Sequence, residues 1–167
     1  MVYMRILQVA KCKSGAAAVE MALVTPLVLI IMFSSFELGN YFLQEHVVTK
    51  AVRDGARYAA RRSFAEYPGC APSATVERET RNVTRTGRVA DGGIPRISNW
   101  TSPSSVSVSA ICDTSGTYTG IYTDVSIGAP IVTVSATVTY NTLFGLLGLG
   151  SGTLTLTAQS QAAVMGV

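Results

Sequence analysis

Across 167 residues, few side chains are of the types that cut, form or polarise bonds, and their spacing narrows the chemistry. The one histidine, His46, has neither a nucleophile nor a second ligand near it in sequence, whereas a metal centre or a hydrolytic triad needs several donors converging. Asp91, Asp113 and Asp124 fall in glycine-containing stretches, yet their spacing matches no calcium loop. The glycine-rich run at 141–152 (NTLFGLLGLGSG) is no phosphate cradle, because no Lys-Ser/Thr follows it and no strand, loop and helix frame it. No catalytic, metal or cofactor site is therefore expected, and the chain is not expected to be an enzyme. What remains is Glu20. It opens an otherwise uncharged apolar stretch, where an ionised carboxylate at mid-bilayer costs on the order of 2.5 kcal/mol or more and so requires a partner charge.

A helix must position that acid. Residues 21–36 (MALVTPLVLIIMFSSF) carry no charge, and with the neighbouring apolar positions the span is 16–38, about 34 Å at roughly 1.5 Å per residue. It lacks the polar face at three- and four-residue spacing that a globular core helix shows, so it reads as a transmembrane helix. Pro26 removes one helical hydrogen bond inside it and permits a kink. The composition agrees: 48% hydrophobic and 14% charged, against about 25% charged for an average soluble domain, argues against a simple water-soluble enzyme.

Charge sets the orientation. Arg5, Lys11 and Lys13 precede the span without an acid, and Glu20, Glu37 and Glu45 are the only formally charged residues from 16 to 49. Ten basic residues then face five acids between 50 and 96, and only Asp113 and Asp124 follow. The positive-inside rule places the N-terminus in the cytoplasm and exports the remainder. The net charge of +3 equals that of the first fifteen residues, so it does not point to nucleic acid. A cleaved signal peptide is the alternative for the apolar run, but no pair of small residues stands one and three positions before a cut beyond it.

Residues 11–20 read KCKSGAAAVE: a short basic leader, Gly15, four small or apolar residues, then Glu20. A second segment, AVRDGARYAA at 51–60, is built on Arg53, Asp54, Gly55, Ala56 and Arg57. On these residues the sequence resembles a type IV prepilin, and more closely a TadE-like minor pilin (pseudopilin) of the tight-adherence, or Flp, pilus system. The stretches 134–140 and 154–158 are similar to that family's closing strands. Met21 stands where major pilins of the system usually carry Tyr and TadE-like members more often Phe, so this position does not support a major pilin.

The resemblance implies a function. A prepilin peptidase would cut between Gly15 and Ala16 on the cytoplasmic face, at a glycine whose backbone enters an extended cleft without a side-chain clash. Glu20 would pair with the new amine at Ala16 of an adjoining subunit and set the axial register of assembly, since a buried charge is far costlier alone than paired. The implied partners are the prepilin peptidase, other pilins and minor pilins, the assembly platform in the inner membrane, and the lipid bilayer. The implied location is a single-pass inner-membrane protein with a periplasmic C-terminal domain, incorporated into a pilus for adhesion. An unprocessed single-span anchor with an extracytoplasmic partner-binding domain is the alternative.

The expected organisation is a leader at 1–15, a transmembrane helix at 16–38 and an extracytoplasmic domain at 39–167. The expected fold class is α+β and pilin-like: a long N-terminal helix packed on a small antiparallel sheet of at least three strands. The helix continues over 39–62, with Val48, Val52, Gly55, Ala56 and Ala59 on one face and the charges largely off it. Gly55 costs roughly 1 kcal/mol in mid-helix relative to Ala, so close packing against another backbone is expected there. A proline- and glycine-containing loop at 63–73 leads to a second, polar helix over 74–89, on which Arg81, Arg85 and Arg88 form a solvated face. Beyond Ser104 the period becomes two: Val106, Val108, Ala110 and Cys112 alternate with polar residues, as do Val132, Val134, Ala136, Val138 and Tyr140, and then Leu154, Leu156 and Ala158. Leu143, Phe144, Leu146, Leu147 and Leu149 sit in a connection, either tucked over the core or forming a contact patch. Cys12 lies in the leader, whereas Cys70 and Cys112 are both exported, where an oxidising compartment favours a disulfide between them.

Overall fold

The computed structural model describes residues 13–114, 116, 118–123, 125–126, 128–146 and 154–166. Two compact units divide the chain, residues 1–40 and 41–167. The leader residues before Lys13, including Cys12, and the loop residues Leu147 and Leu149 lie outside the described residues.

One helix, α1 (Lys13–Ala60), enters both units. In the first unit every residue from 15 to 36 is exposed, and the most apolar eighteen-residue window has a mean hydropathy of 2.3 with none of it buried. The helix is long and apolar enough to cross a membrane. It continues through Pro26, and hydroxyls close on their own turns: Thr25 Oγ1 donates to the Met21 carbonyl at 2.6 Å and Ser35 Oγ to Ile31 at 2.8 Å. Such local bonds spare these two hydroxyls the need for water, the condition for Ser and Thr in an apolar medium.

In the second unit α1 buries the face expected of it. Val48, Ala51, Val52, Ala56, Ala59 and Ala60 all enter the core. The helix ends at Ala60, two residues earlier than expected. There the Ala60 carbonyl accepts from the Met165 N–H at 2.8 Å, so the chain terminus takes a group that another helical turn would have used. The loop beyond it is made of two 3-10 turns, Phe64–Glu66 and Pro68–Cys70. Tyr67, between them, is fully buried and donates its hydroxyl to the Ala59 carbonyl at 2.7 Å.

The second helix, α2 (Ala74–Thr86), starts on a Ser73 hydroxyl that accepts from the Val76 N–H, and it stops at Gly87, whose φ of 74° only glycine adopts freely. The last helical residue, Thr86, falls three residues before the expected end at Val89. The face of α2 also departs from the polar helix expected, for Val76, Thr80, Thr84 and Arg85 are buried. Three antiparallel strands follow, β1 (Val106–Asp113), β2 (Ala129–Thr139) and β3 (Thr155–Ala163), in spatial order β1-β2-β3. Registers such as Val134 opposite Val108 and Ser160 put Val106, Val108, Val132, Val134, Ala136, Val138 and Leu156 on the core side. Leu154 departs from the alternation: it lies just before β3 and is 53% exposed. A one-turn helix, α3 (Leu143–Leu146), occupies the connection from β2. The fold is thus α+β, a long helix packed on a three-stranded antiparallel sheet.

Trp100 completes the core. It is 1% exposed, with its indole N–H donating to Ser105 Oγ at 2.7 Å. Nothing in the local pattern of an isolated Asn-Trp-Thr marks it as an anchor.

Candidate assembly surface

Gly15, Ala16 and Glu20 all lie on α1 and are exposed. Nothing approaches the position a Cβ on Gly15 would take. The helical backbone there differs from the extended strand that a proteolytic cleft accepts, so cutting after Gly15 requires the first turn to open. Glycine lowers that cost because helical residues are less favourable for it by roughly 1 kcal/mol than for alanine. Pro26 is likewise exposed.

The Arg53–Arg57 segment is divided by the 100° step of the helix. Gly55 and Ala56 face the core; Arg53 and Arg57 face outward; Asp54 reaches sideways to Arg96, at 2.9 Å. A Cβ on Gly55 would overlap the Thr84 hydroxyl and would lie 3.3 Å from Thr84 Cβ and 3.6 Å from Thr80 Cγ2. The close approach expected at Gly55 is therefore to threonine side chains of α2, not to another backbone. Thr84 Oγ1 is itself committed, donating to the Thr80 carbonyl at 2.8 Å.

Ion pairs account for the acids of this region. Arg62 lies 3.8 Å from Glu66 and 3.5 Å from Glu79, Arg78 pairs with Asp91 at 2.8 Å, and Arg81 pairs with Glu77. Hydrogen bonds from Asn82 and Arg78 hold the Asp91 carboxyl below the usual range. Among the described residues no group of three or more His, Cys, Asp or Glu could hold a metal ion. Tyr58 donates to Glu79 at 2.6 Å; burial and this bond push its pKa up to about 12, against the opposing charge of Arg62.

Arg85 departs most from expectation. It does not share a solvated face with Arg81 and Arg88; it is 9% exposed and donates Nε to the Trp100 carbonyl at 3.2 Å and Nη2 to Thr101 at 2.5 Å. Desolvation lowers the pKa of its guanidinium. Its planar fork suits two adjacent carbonyls, which gives this arginine a structural role in pinning the Trp100 loop to α2.

The other cations of α1 are left over. Lys50, Arg53, Arg57 and Arg61 are exposed and none is in an ion pair among the described residues. Arg53 with Arg57, and Arg57 with Arg61, are like-charge i,i+4 neighbours, each unfavourable by about 0.2–0.5 kcal/mol.

Cys70 and Cys112 are joined, with Cα atoms 5.8 Å apart. The bridge ties the loop after α1 to β1 across 42 positions of sequence. Leu143 in α3 is 41% exposed and Phe144 is half-buried. Leu146 is described by its backbone alone, so the proposed patch of Leu143, Phe144, Leu146 and Leu147 is seen only in its first half. A shallow groove of about 400 Å³ is lined by Phe64, Tyr67, Pro68, Ile121 and Ser126, among others.

Residues 15–57 match the model of a protein family described as TadE-like protein. That is about a quarter of the chain; it begins on Gly15 and takes in Glu20 and the whole Arg53–Arg57 segment. Over those residues the N-terminal helix is similar to a TadE-like protein. No curated protein and no solved structure matches the chain.

Proposed function

We propose, from a chain whose residues 15–57 are TadE-like, that this protein is a minor pilin of a Tad/Flp pilus: cut after Gly15 by a prepilin peptidase, held in the inner membrane by residues 16–38, and taken into the pilus through contacts of its helix. The observation that carries this reading is the coincidence of the family match with exposure. The match opens on the residue where the cut is proposed, and it runs into a stretch, 15–36, in which every side chain is uncovered. Apolar helix surface of this extent needs lipid or neighbouring helices to cover it. The unit from Tyr41 onward has its own core and disulfide, as suits a domain displayed outside the cytoplasm.

The reaction belongs to the peptidase; this chain supplies the substrate. Its basic residues before Gly15 keep the cut site on the cytoplasmic side, and removal of the leader creates a positive amine at Ala16. Glu20 lies four residues along the helix from that amine, one turn up. An adjoining subunit displaced by about one turn therefore brings its amine level with Glu20, which joins the only acid of residues 16–36 to a cation that exists only after processing. This makes assembly conditional on the cut. The partners are other pilins, the assembly platform and the bilayer, and the biological outcome is surface attachment.

The intact mass of the membrane-extracted protein tests the reading. In a strain with active prepilin peptidase the chain is expected to begin at Ala16. A chain retaining Met1 there overturns it in favour of an unprocessed single-span anchor.

A further inference from the structure

The three-stranded sheet has two edges, and only one of them is guarded. The Tyr140 N–H donates to the Leu154 carbonyl at 2.8 Å and the Val164 N–H to the Pro130 carbonyl at 2.9 Å, both in the register that runs unbroken along β2 and β3. Bonded pairs alternate along an antiparallel ladder, so the even-numbered residues of β3 give their backbone groups to β2. Those of Thr155, Thr157, Gln159, Gln161 and Ala163 point the other way. β3 pairs with β2 alone, and these five have no backbone partner among the described residues. The same parity turns Val106, Val108, Ala110 and Cys112 to the outer edge of β1. There the Val106 carbonyl accepts from Arg81 Nε at 3.0 Å and Cys112 is bonded to Cys70, so α2 and the loop after α1 are both attached along that edge.

An open edge is ordinarily blunted by charge, proline, a bulge or brevity. β3 has none of these, for Thr155–Ala163 is nine residues long, uncharged, free of proline and paired without interruption. The core also thins toward it. Val132, Val134 and Ala136 of β2 are buried, whereas Ala162, Ser160 and Ala158 opposite them are only half-buried. A further strand would pair the five outward N–H and C=O groups and bring its own alternate side chains over Ala158 and Ala162.

Geometry and charge constrain the occupant. Two-fold pairing of β3 with the β3 of a second copy turns about the normal of the sheet, which reverses every direction in its plane, including that of α1 packed against it. The Tyr41 ends of the two helices would then point opposite ways, although each leads directly into the proposed span, and one membrane cannot receive both. Head-to-tail addition of β3 to β1 meets the edge that Arg81 and the disulfide hold. No side chain beyond Asp124 is charged, so a charged strand finds no counter-ion along β3. We propose that β3 receives an uncharged extended segment of a different exported polypeptide, apolar at the alternate positions that face α1, by strand addition. The inference rests on the pilus reading for its setting, in which the donor is a neighbouring subunit of another kind. It involves no association of this chain with itself, so assembly stays conditional on the cut.

Residue-resolved amide hydrogen exchange of the full-length chain in neutral detergent tests it, with a nine-residue uncharged peptide of alternating valine and threonine as the probe. Without the peptide, the N–H groups of Thr157, Gln159 and Gln161 are expected to exchange about tenfold or more faster than those of Ala158 and Ser160, which β2 holds. The peptide is expected to slow the first set by a similar factor. Methylating the peptide nitrogens of its threonines, which would face β3, should abolish the effect, whereas methylating those of its valines should not. Gln159→Pro deletes an outward N–H that β2 does not use, so native Trp100 emission is expected with binding lost. In piliated cells the same variant should be cut after Gly15 yet be depleted from sheared pili. Overturning results are equal exchange of the two sets in the free chain, no slowing by the unmodified peptide, equal slowing by the threonine-methylated one, or a folded Gln159→Pro chain that binds or enters pili as the wild type does. Failure of processing after Gly15 leaves the peptide outcomes unchanged, so the two readings fail separately.

Discussion

Thr84 fills the space that Gly55 leaves on α1. A Cβ at position 55 would overlap the Thr84 hydroxyl, and that hydroxyl is fixed by its bond to the Thr80 carbonyl. The glycine is thus the point of closest approach between α1 and α2, and it sits in the middle of the Arg53–Arg57 segment that carries the TadE-like likeness.

Gly55→Ala gains roughly 1 kcal/mol of helix propensity and is nevertheless expected to destabilise the domain by a net 1–3 kcal/mol, roughly the range seen for overpacked cores. Chemical denaturation followed by Trp100 emission measures it. Adding Thr84→Ala removes the obstructing oxygen and should recover most of the loss; a double mutant no better than the single one would mean the strain lies elsewhere.

Thr80 Oγ1 is buried with no hydrogen-bond partner among the described residues. Thr80→Val keeps the shape and deletes the orphaned hydroxyl, so the unfolding midpoint should rise by the equivalent of about 1 kcal/mol. A fall would show that the hydroxyl is satisfied in solution.

Arg85 predicts the opposite sign. Arg85→Met leaves the carbonyls of Trp100 and Thr101 without their donor, and a cost of about 2–4 kcal/mol is expected. Arg85→Lys should recover little of it, since an ammonium cannot span both oxygens. A red shift of Trp100 emission in the folded state would accompany the loss of the loop.

Alkaline pH should weaken the domain in a definite window. Burial raises the Tyr67 pKa to about 12, and burial with the Glu79 bond does the same for Tyr58. A raised folded pKa on an acid means that the neutral form is the one stabilised, so the contribution is complete below pH 10 and is lost as pH climbs from about 10 to 12. For Tyr67 the loss reaches up to about 3 kcal/mol. Melting temperature against pH, compared with Tyr67→Phe, isolates it; an equally steep decline in the phenylalanine variant would assign the effect to other groups.

Glu20→Gln should leave cleavage after Gly15 intact, as judged by mass, while abolishing or strongly reducing piliation seen by electron microscopy. Normal piliation would remove the charge-pairing step from the mechanism.

The features of this protein that depend on neighbours along the chain were determined by its sequence. The apolar span, the Gly15 to Glu20 spacing, the period-two strands and the buried face of α1 are all local repeats, and a repeat of 3.6 or 2 is legible wherever it occurs. The choice of Cys70 and Cys112 as partners was legible too, because it followed from compartment, not geometry. Tertiary structure alone decided the rest. Arg85 and Arg88 look alike on a helical wheel, yet α2 ends before Arg88, whereas Arg85 meets two carbonyls from Trp100 and Thr101, in a loop fifteen residues away. Likewise, nothing in the order of charges tells that Asp54 belongs to Arg96, and Glu79 to Tyr58 and Arg62, leaving Arg53, Arg57 and Arg61 uncompensated. Burial periodicity is a property of one element, whereas pairing is fixed only when two elements touch.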